Sequence, residues 1–257
     1  ENIILDKQFK AEVQDIFIMV FIISLEGNIG SGKSTLLRAL KTYTPVALGK
    51  DFNIKYVQEP IEEWNSIIDE DGETILQKFY GDQASYAFSF QIMAYITRLR
   101  KMLRIIEESD DNTIIICERS LETDRNVFGK MLYDRGKIRD IDWNIYNYWF
   151  DTFAEKITPN LLLYIETSIQ TCSDRITKRQ RDGEGGIALE YLQRCELYHT
   201  NWITNSGTDF KIINGDPDNS DKRSYESLIV TVMNIIRGCV TPTPEHNIQP
   251  PLLNNVI

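Results

Sequence analysis

The sequence predicts an α/β fold in which helices flank a central parallel sheet, and three observations carry that prediction. An apolar run, Ile16 to Leu25, feeds the glycine-rich stretch SLEGNIGSGKST, Ser24 to Thr35. Further strand-like runs recur at 54–60, 113–120, 160–167 and 209–216, with helical patterns between them. That alternation is the signature of a parallel sheet covered on both faces. The first run is too short to cross a bilayer, which takes about 20 residues, so a buried strand leading into the loop accounts for it.

The elements follow in chain order. Residues 1–18 read as an extension outside a domain spanning 19–238. The loop holds G-x-x-x-x-G-K-S as Gly27, Gly32, Lys33 and Ser34. Its glycines let successive N–H groups turn toward phosphate oxygens, Lys33 adds a mobile charge, and Ser34 offers a hydroxyl to magnesium. A helix follows, marked by Leu36, Leu37 and Leu40. IKYVQEP (54–60) is the second strand, with Glu59 at its end, and 74–108 is mostly helix, broken near Gly81. TIIICERS (113–120) is the third strand-like run, with Glu118 ending the strand and Arg119 next to it, and another helix covers 142–157. After NLLLYIET (160–167) comes KRQRDGEGG (178–186), charged and glycine-rich as in a mobile lid at about 175–187. DFKIINGD (209–216) is the last strand, and 239–257 a proline-rich, flexible tail. Ligands of such sheets bind outside the carboxyl ends of the strands, where Gly27, Glu59 and Glu118 all fall.

The 257 residues carry a net charge of −10, which argues against nucleic acid as the main partner. Cys117, Cys172, Cys195 and Cys239 show no C-x-x-C spacing, and two histidines cannot complete a zinc cluster. The expectation is reduced thiols in the cytoplasm, with no membrane partner and with an acidic N-terminal stretch unlike a signal or transit peptide.

Several side chains have two readings. Glu59 either accepts a proton from a hydroxyl substrate or is a surface carboxylate. Arg119 either bridges the reacting oxygen and phosphoryl group or forms a buried pair with Glu59. Arg175, Lys178 and Arg179 share a helix face by spacing, with Arg181 just beyond; for such a charge run alone the usual reading is a solvated face. Gln91, Ala94 and Arg98 line one face of the long helix, and Asp124 and Phe128 are four apart. Inward-facing Arg98 and Asp124 are costly unless paired or bound to a polar substrate, which favours a polar pocket.

LEGNIGSGKST, QEPIEEW (58–64), Phe90–Gln91, CERSLETDRNVF (117–128), DRITKRQR (174–181) and LEYL (189–192) stand in an order and spacing that resembles the deoxynucleoside kinases, over roughly residues 18–235. The resemblance implies a P-loop kinase fold with a short arginine-rich lid. It also implies transfer of the γ-phosphoryl group of ATP, or another nucleoside triphosphate, to a deoxynucleoside 5′-hydroxyl in nucleotide salvage. The implied catalytic residues are Glu59, Glu118 and Arg119, with Mg2+ at Ser34 and Glu118; it leaves open how the two carboxylates divide the base and metal roles. The donor phosphates fall to Gly27, Asn28, Ile29, Gly30, Ser31, Gly32, Lys33, Ser34 and Thr35, and to lid residues Arg175, Arg179 and Arg181. The donor's base falls near Asp216 to Asp221. Gln91 hydrogen-bonds the acceptor base, Phe128 stacks on it beside Trp64, and Tyr80 and Glu190 hold the sugar 3′-hydroxyl. Glu59, Ala94, Arg98, Arg119 and Asp124 complete that pocket. A homodimer through the helices at 74–108 and 142–157 is implied as well.

Two rivals remain. A thymidylate kinase type of monophosphate kinase usually has Arg before its Glu-Pro pair, to neutralise the acceptor's phosphate; Gln58 stands here. A nucleotide-hydrolysing switch or motor does not need the polar, aromatic pocket. Arg98 and Asp124 offer donors and an acceptor suited to cytosine or a purine, whereas thymine has no exocyclic amine. Deoxycytidine or a purine deoxynucleoside is therefore expected over thymidine.

Overall fold

The computed structural model describes residues 20–47, 53–217 and 222–240. The expected extension at 1–18, the tail from 241 onward and residues 218–221 of the expected donor-base region lie outside the described residues.

Five parallel strands form one sheet: β1 (Phe21–Glu26), β2 (Asn53–Val57), β3 (Thr113–Glu118), β4 (Leu161–Glu166) and β5 (Asp209–Asn214), in the order β2-β3-β1-β4-β5. Central β1 pairs Leu25 with Glu118 of β3 and Glu26 with Tyr164 of β4. All six residues of β3 are buried, because both faces of a parallel sheet are covered and its strands lack a solvent side.

Alternate residues of β1 and β3 enter two cores. Ile23, Leu25, Ile114 and Ile116 pack under α1 (Lys33–Ala47) and α10 (Lys222–Val240), meeting Leu36, Leu40, Val232 and Ile236. On the other face, Ile22, Ile115 and Cys117 meet α4 (Gln83–Glu107) and α7 (Asp140–Phe153) through Tyr95, Leu99, Tyr146 and Phe150. Leu40 has no exposed surface, so Leu40→Ala costs about 2–5 kcal/mol.

Between β2 and α4 come α2 (Ile61–Asn65) and α3 (Ile75–Gly81). The expected break near Gly81 is made by Asp82, whose carboxylate accepts from the backbone N–H groups of Ala84 and Ser85 at 3.1 and 3.2 Å and caps α4. After β3 the chain runs through α5 (Leu121–Thr123), a π-helical segment (Asp124–Gly129) and α6 (Lys130–Asp134). The helix expected at 142–157 starts at Asp140 and closes in a 3-10 turn, Ala154–Ile157. α8 (Ile169–Arg179) and α9 (Leu189–Asn205) flank a short 3-10 turn at Glu184–Gly186, and α10 runs two residues past the expected boundary at 238.

Candidate active site

A cleft of about 830 Å³ opens at the carboxyl ends of the strands and is lined by the phosphate loop, Glu59, Gln91, Glu118, Asp124 and the arginines of α8. Loop and site are therefore where the sequence pattern puts them. Gly30 shows why the loop needs glycine: its φ is +80°, and a Cβ there would stand 2.4 Å from the Cys172 carbonyl oxygen. Ile29, Gly30, Ser31, Gly32, Lys33, Ser34 and Thr35 line the cleft. Gly27 and Asn28 support the loop from below. The Gly27 and Asn28 carbonyls accept from Lys33 Nζ at 3.0 and 2.7 Å, and Asn28 Nδ2 donates to the Leu192 carbonyl at 2.8 Å. Burial first, then the charge of Arg119, brings the Lys33 ammonium down to about 7.

Ser34 Oγ donates to Glu118 Oε1 at 2.6 Å. This brings a hydroxyl and a carboxylate together beside Lys33, an oxygen pair that suits Mg2+ completed by phosphate oxygens and water. Among the described residues there is no cluster of three or more His, Cys, Asp or Glu able to hold a metal by themselves.

Glu59 lies two residues beyond β2, in the loop before α2, rather than at the strand's last position. Its Oε1 is 3.1 Å from Arg98 Nη2 and 3.3 Å from Arg119 Nε, so the buried Glu59–Arg119 pair does form. Burial alone would raise the Glu59 carboxyl, but Arg119, Arg98 and Lys33 outweigh it and hold it below the ordinary range. Arg98 is nearly fully used: Nε and Nη2 reach Asp124 at 2.8 and 3.3 Å, and Nη1 donates to the Glu118 carbonyl at 2.7 Å. It stands behind Asp124, which is the member of the pair on the cleft wall.

Gln91 and Ala94 are 2% and 3% exposed on α4 and face the cleft. Gln91 Oε1 is buried and has no hydrogen-bond partner. A buried acceptor left unpaired in a cleft marks a place for a ligand's donor. Trp64 is tethered by Nε1 to Thr97 Oγ1 at 2.9 Å, and Phe128 lies under the Arg119 guanidinium, 4.7 Å from ring centre to carbon. Tyr80 lines the same wall, with Tyr191 at 6.4 Å between ring centres.

Glu190 is not brought to the cleft. It starts α9 on the solvent side, its side chain 69% exposed and paired with Arg194 one turn on. The carboxylate that does face the cleft near Tyr80 is Glu184, 4% exposed. Sequence reading missed it, although an acid three residues after Arg181 in a basic run is a recognisable counter-ion. Arg179 Nε and Arg181 Nη1 donate to Glu184 at 2.7 and 3.0 Å. Arg175 instead fastens the phosphate loop to the turn after β5, donating to the carbonyls of Ser31 at 3.3 Å and Gly215 at 2.9 Å.

Comparison with known proteins agrees with this geometry. The model of the family described as deoxynucleoside kinase matches residues 23–237. A probable deoxycytidine kinase of fowlpox virus is 34% identical over 217 residues, covering 81% of this chain and 85% of the relative. Human deoxycytidine kinase is 29% identical over 82% of this chain and 88% of its own length. A mitochondrial deoxyguanosine kinase of Xenopus laevis is 25% identical over 75% of this chain and 76% of its own. These matches favour neither the monophosphate kinase nor the switch reading. A phosphate loop joined to a polar, aromatic acceptor cleft, and a family match over most of the chain, make this protein a member of the deoxynucleoside kinase family.

Proposed function

We propose that this kinase moves the γ-phosphoryl group of ATP, or another nucleoside triphosphate, to the 5′-hydroxyl of deoxycytidine or a purine deoxynucleoside, and accepts thymidine poorly. The observation that carries the base preference is the unpaired, buried Gln91 Oε1 in the cleft that Asp124 also lines, its carboxylate oriented by Arg98. An acceptor pair of this kind is satisfied by an exocyclic amine, which cytosine and adenine carry on the base edge, guanine carries beside its ring N–H, and thymine lacks.

Glu59 is the base that takes the 5′-hydroxyl proton, and Glu118 with Ser34 forms the metal side. This division is supported by Glu118 facing the loop hydroxyl while Glu59 faces the two arginines. Mg2+ bound there would neutralise charge on the phosphate oxygens. Lys33 meets the donor phosphates, Arg119 the phosphoryl group in transit, and Arg179 and Arg181 exchange Glu184 for phosphate. Phe128 and Trp64 hold the base; Tyr80 and Glu184, not Glu190, hold the sugar hydroxyl. A panel of four deoxynucleosides with labelled ATP tests the reading, and thymidine as the best substrate overturns it.

The working form we propose is a homodimer in a reducing compartment, the cytoplasm. Ile141, Ile145, Tyr148 and Trp149 form an exposed stripe on α7, near the spacing of one helix face. The four cysteines are free, and no described helix is long and apolar enough to cross a membrane. Sedimentation of Tyr148→Lys against the parent checks the dimer: the variant is expected as monomer.

A further inference from the structure

Arg119 is constrained from several sides. Its φ is +67°, a left-handed conformation that a residue with a long side chain rarely takes. Its N–H donates to the Leu25 carbonyl at 3.0 Å, and the next residue, Ser120, donates its N–H and hydroxyl to Glu26 Oε1 at 3.1 and 2.9 Å. The side chain meets Glu59 through Nε and lies over Phe128. One more contact comes from α9. Arg119 Nη1 is 3.3 Å from Nε2 of His199, a fully buried ring.

The protonation of that ring follows from its other nitrogen. His199 Nδ1 is 2.6 Å from the Cys195 carbonyl oxygen, which can only accept. Nδ1 therefore carries the hydrogen, and Nε2 presents a lone pair to the guanidinium. Tyr164 packs beside the ring, 6.0 Å between centres and tilted by 28°.

We propose that His199 is a positioning residue, a neutral acceptor that fixes the plane of Arg119 so that its remaining edge meets the transferring phosphoryl group. Contacts at Nε and Nη1 are two points on one rigid plane; with Glu59 alone the guanidinium can pivot about a single contact. Burial, then the charges of Arg119 and Lys33, keep the ring well below its ordinary pKa, so it remains an acceptor across the neutral range. The proposal rests on the reading that Arg119 acts at the transferring group.

His199→Phe keeps an aromatic ring and loses the acceptor, whereas His199→Gln keeps an acceptor. Loss of one charge-assisted contact at a reacting centre predicts a fall in kcat of about tenfold to a hundredfold for His199→Phe. Nucleoside affinity, measured by calorimetry, is expected to stay within about threefold, and His199→Gln to recover most of the rate. In an Arg119→Lys background, His199→Phe is expected to change kcat by less than about twofold. A folded His199→Phe at the parental rate, or one whose loss repeats in full on Arg119→Lys, overturns the proposal. Should that variant not fold, His199→Leu against His199→Gln decides, and equal rates overturn it. An Arg119→Lys enzyme at the parental rate overturns the role of Arg119 and this proposal with it; a slow Arg119→Lys beside a parental His199→Phe overturns this proposal alone.

Discussion

Glu59 sits between two guanidinium groups and within the field of Lys33, and its charge is held on by all three. A carboxylate that stays ionised through neutral pH suits a step in which the hydroxyl proton moves late and the base mainly orients the attacking oxygen. Glu59→Gln is expected to lower kcat on the order of a hundredfold while nucleoside affinity changes by only several-fold; a near-parental rate would pass the role to Glu118. Lys33 has the opposite problem. Its ammonium titrates at about 7 in the free cleft because it is buried beside Arg119. Donor phosphates raise that value, so above pH 7 the bound form holds a proton that the free form has lost. Donor binding then takes up a proton, and affinity falls as pH rises above about 7. Calorimetry at pH 8 in two buffers of different ionisation heat reads this uptake directly, and Lys33→Arg is expected to abolish it. At Asp124, on the cleft wall, and the Arg98 that holds it from behind, Arg98→Met with Asp124→Ala is expected to weaken the preferred nucleoside and raise thymidine turnover, and an unchanged base ranking would remove both residues from the proposed specificity.

Among elements, the lid turn and the phosphate loop make the sharpest expectations. Glu184, in the lid run, faces the cleft and Glu190, in the LEYL stretch, does not. Glu184→Ala is expected to raise the acceptor KM by at least about tenfold, the scale of a lost hydrogen bond to a charged group, and Glu190→Ala to leave it within about twofold. The reverse result would restore Glu190 to the sugar. Gly30→Ala puts a methyl against the backbone of α8 where no flexible side chain can yield. A lower melting temperature and lost ATP binding are both expected, read by thermal unfolding with and without ATP. The π-helical segment at Asp124–Gly129 could not be read from the sequence, because one wide turn leaves the four-residue spacing of Asp124 and Phe128 unchanged. Glu190 misled as well. The resemblance put Glu190, in the LEYL stretch, at the sugar, but that residue opens α9 on the solvent side, and the inward acid is Glu184 in the turn before it.

At the scale of the whole molecule the sheet was legible because its strands are apolar runs bounded by polar turns, and each run expected as a strand holds one within the described residues. The strand order was not legible, since no local pattern says which neighbour a buried strand takes. Nor was the contact between His199 and Arg119 legible, since it joins residues 80 positions apart in the chain. That order has a consequence for recombination. β1 and its loop are central, β2 and β3 lie to one side with Glu59, Gln91 and Asp124 following them, and β4 and β5 lie to the other with Arg175, Gly215 and Tyr225. On the proposed reading, one contiguous block, 53–134, supplies most of the wall for the acceptor's base, and the described residues of 161–240 supply the opposite wall. A chimera that receives 53–134 from a thymidine-phosphorylating relative is expected to inherit the relative's base ranking and keep the host's ranking of triphosphates. If the triphosphate ranking travelled with the block, the two walls would not be exchangeable parts.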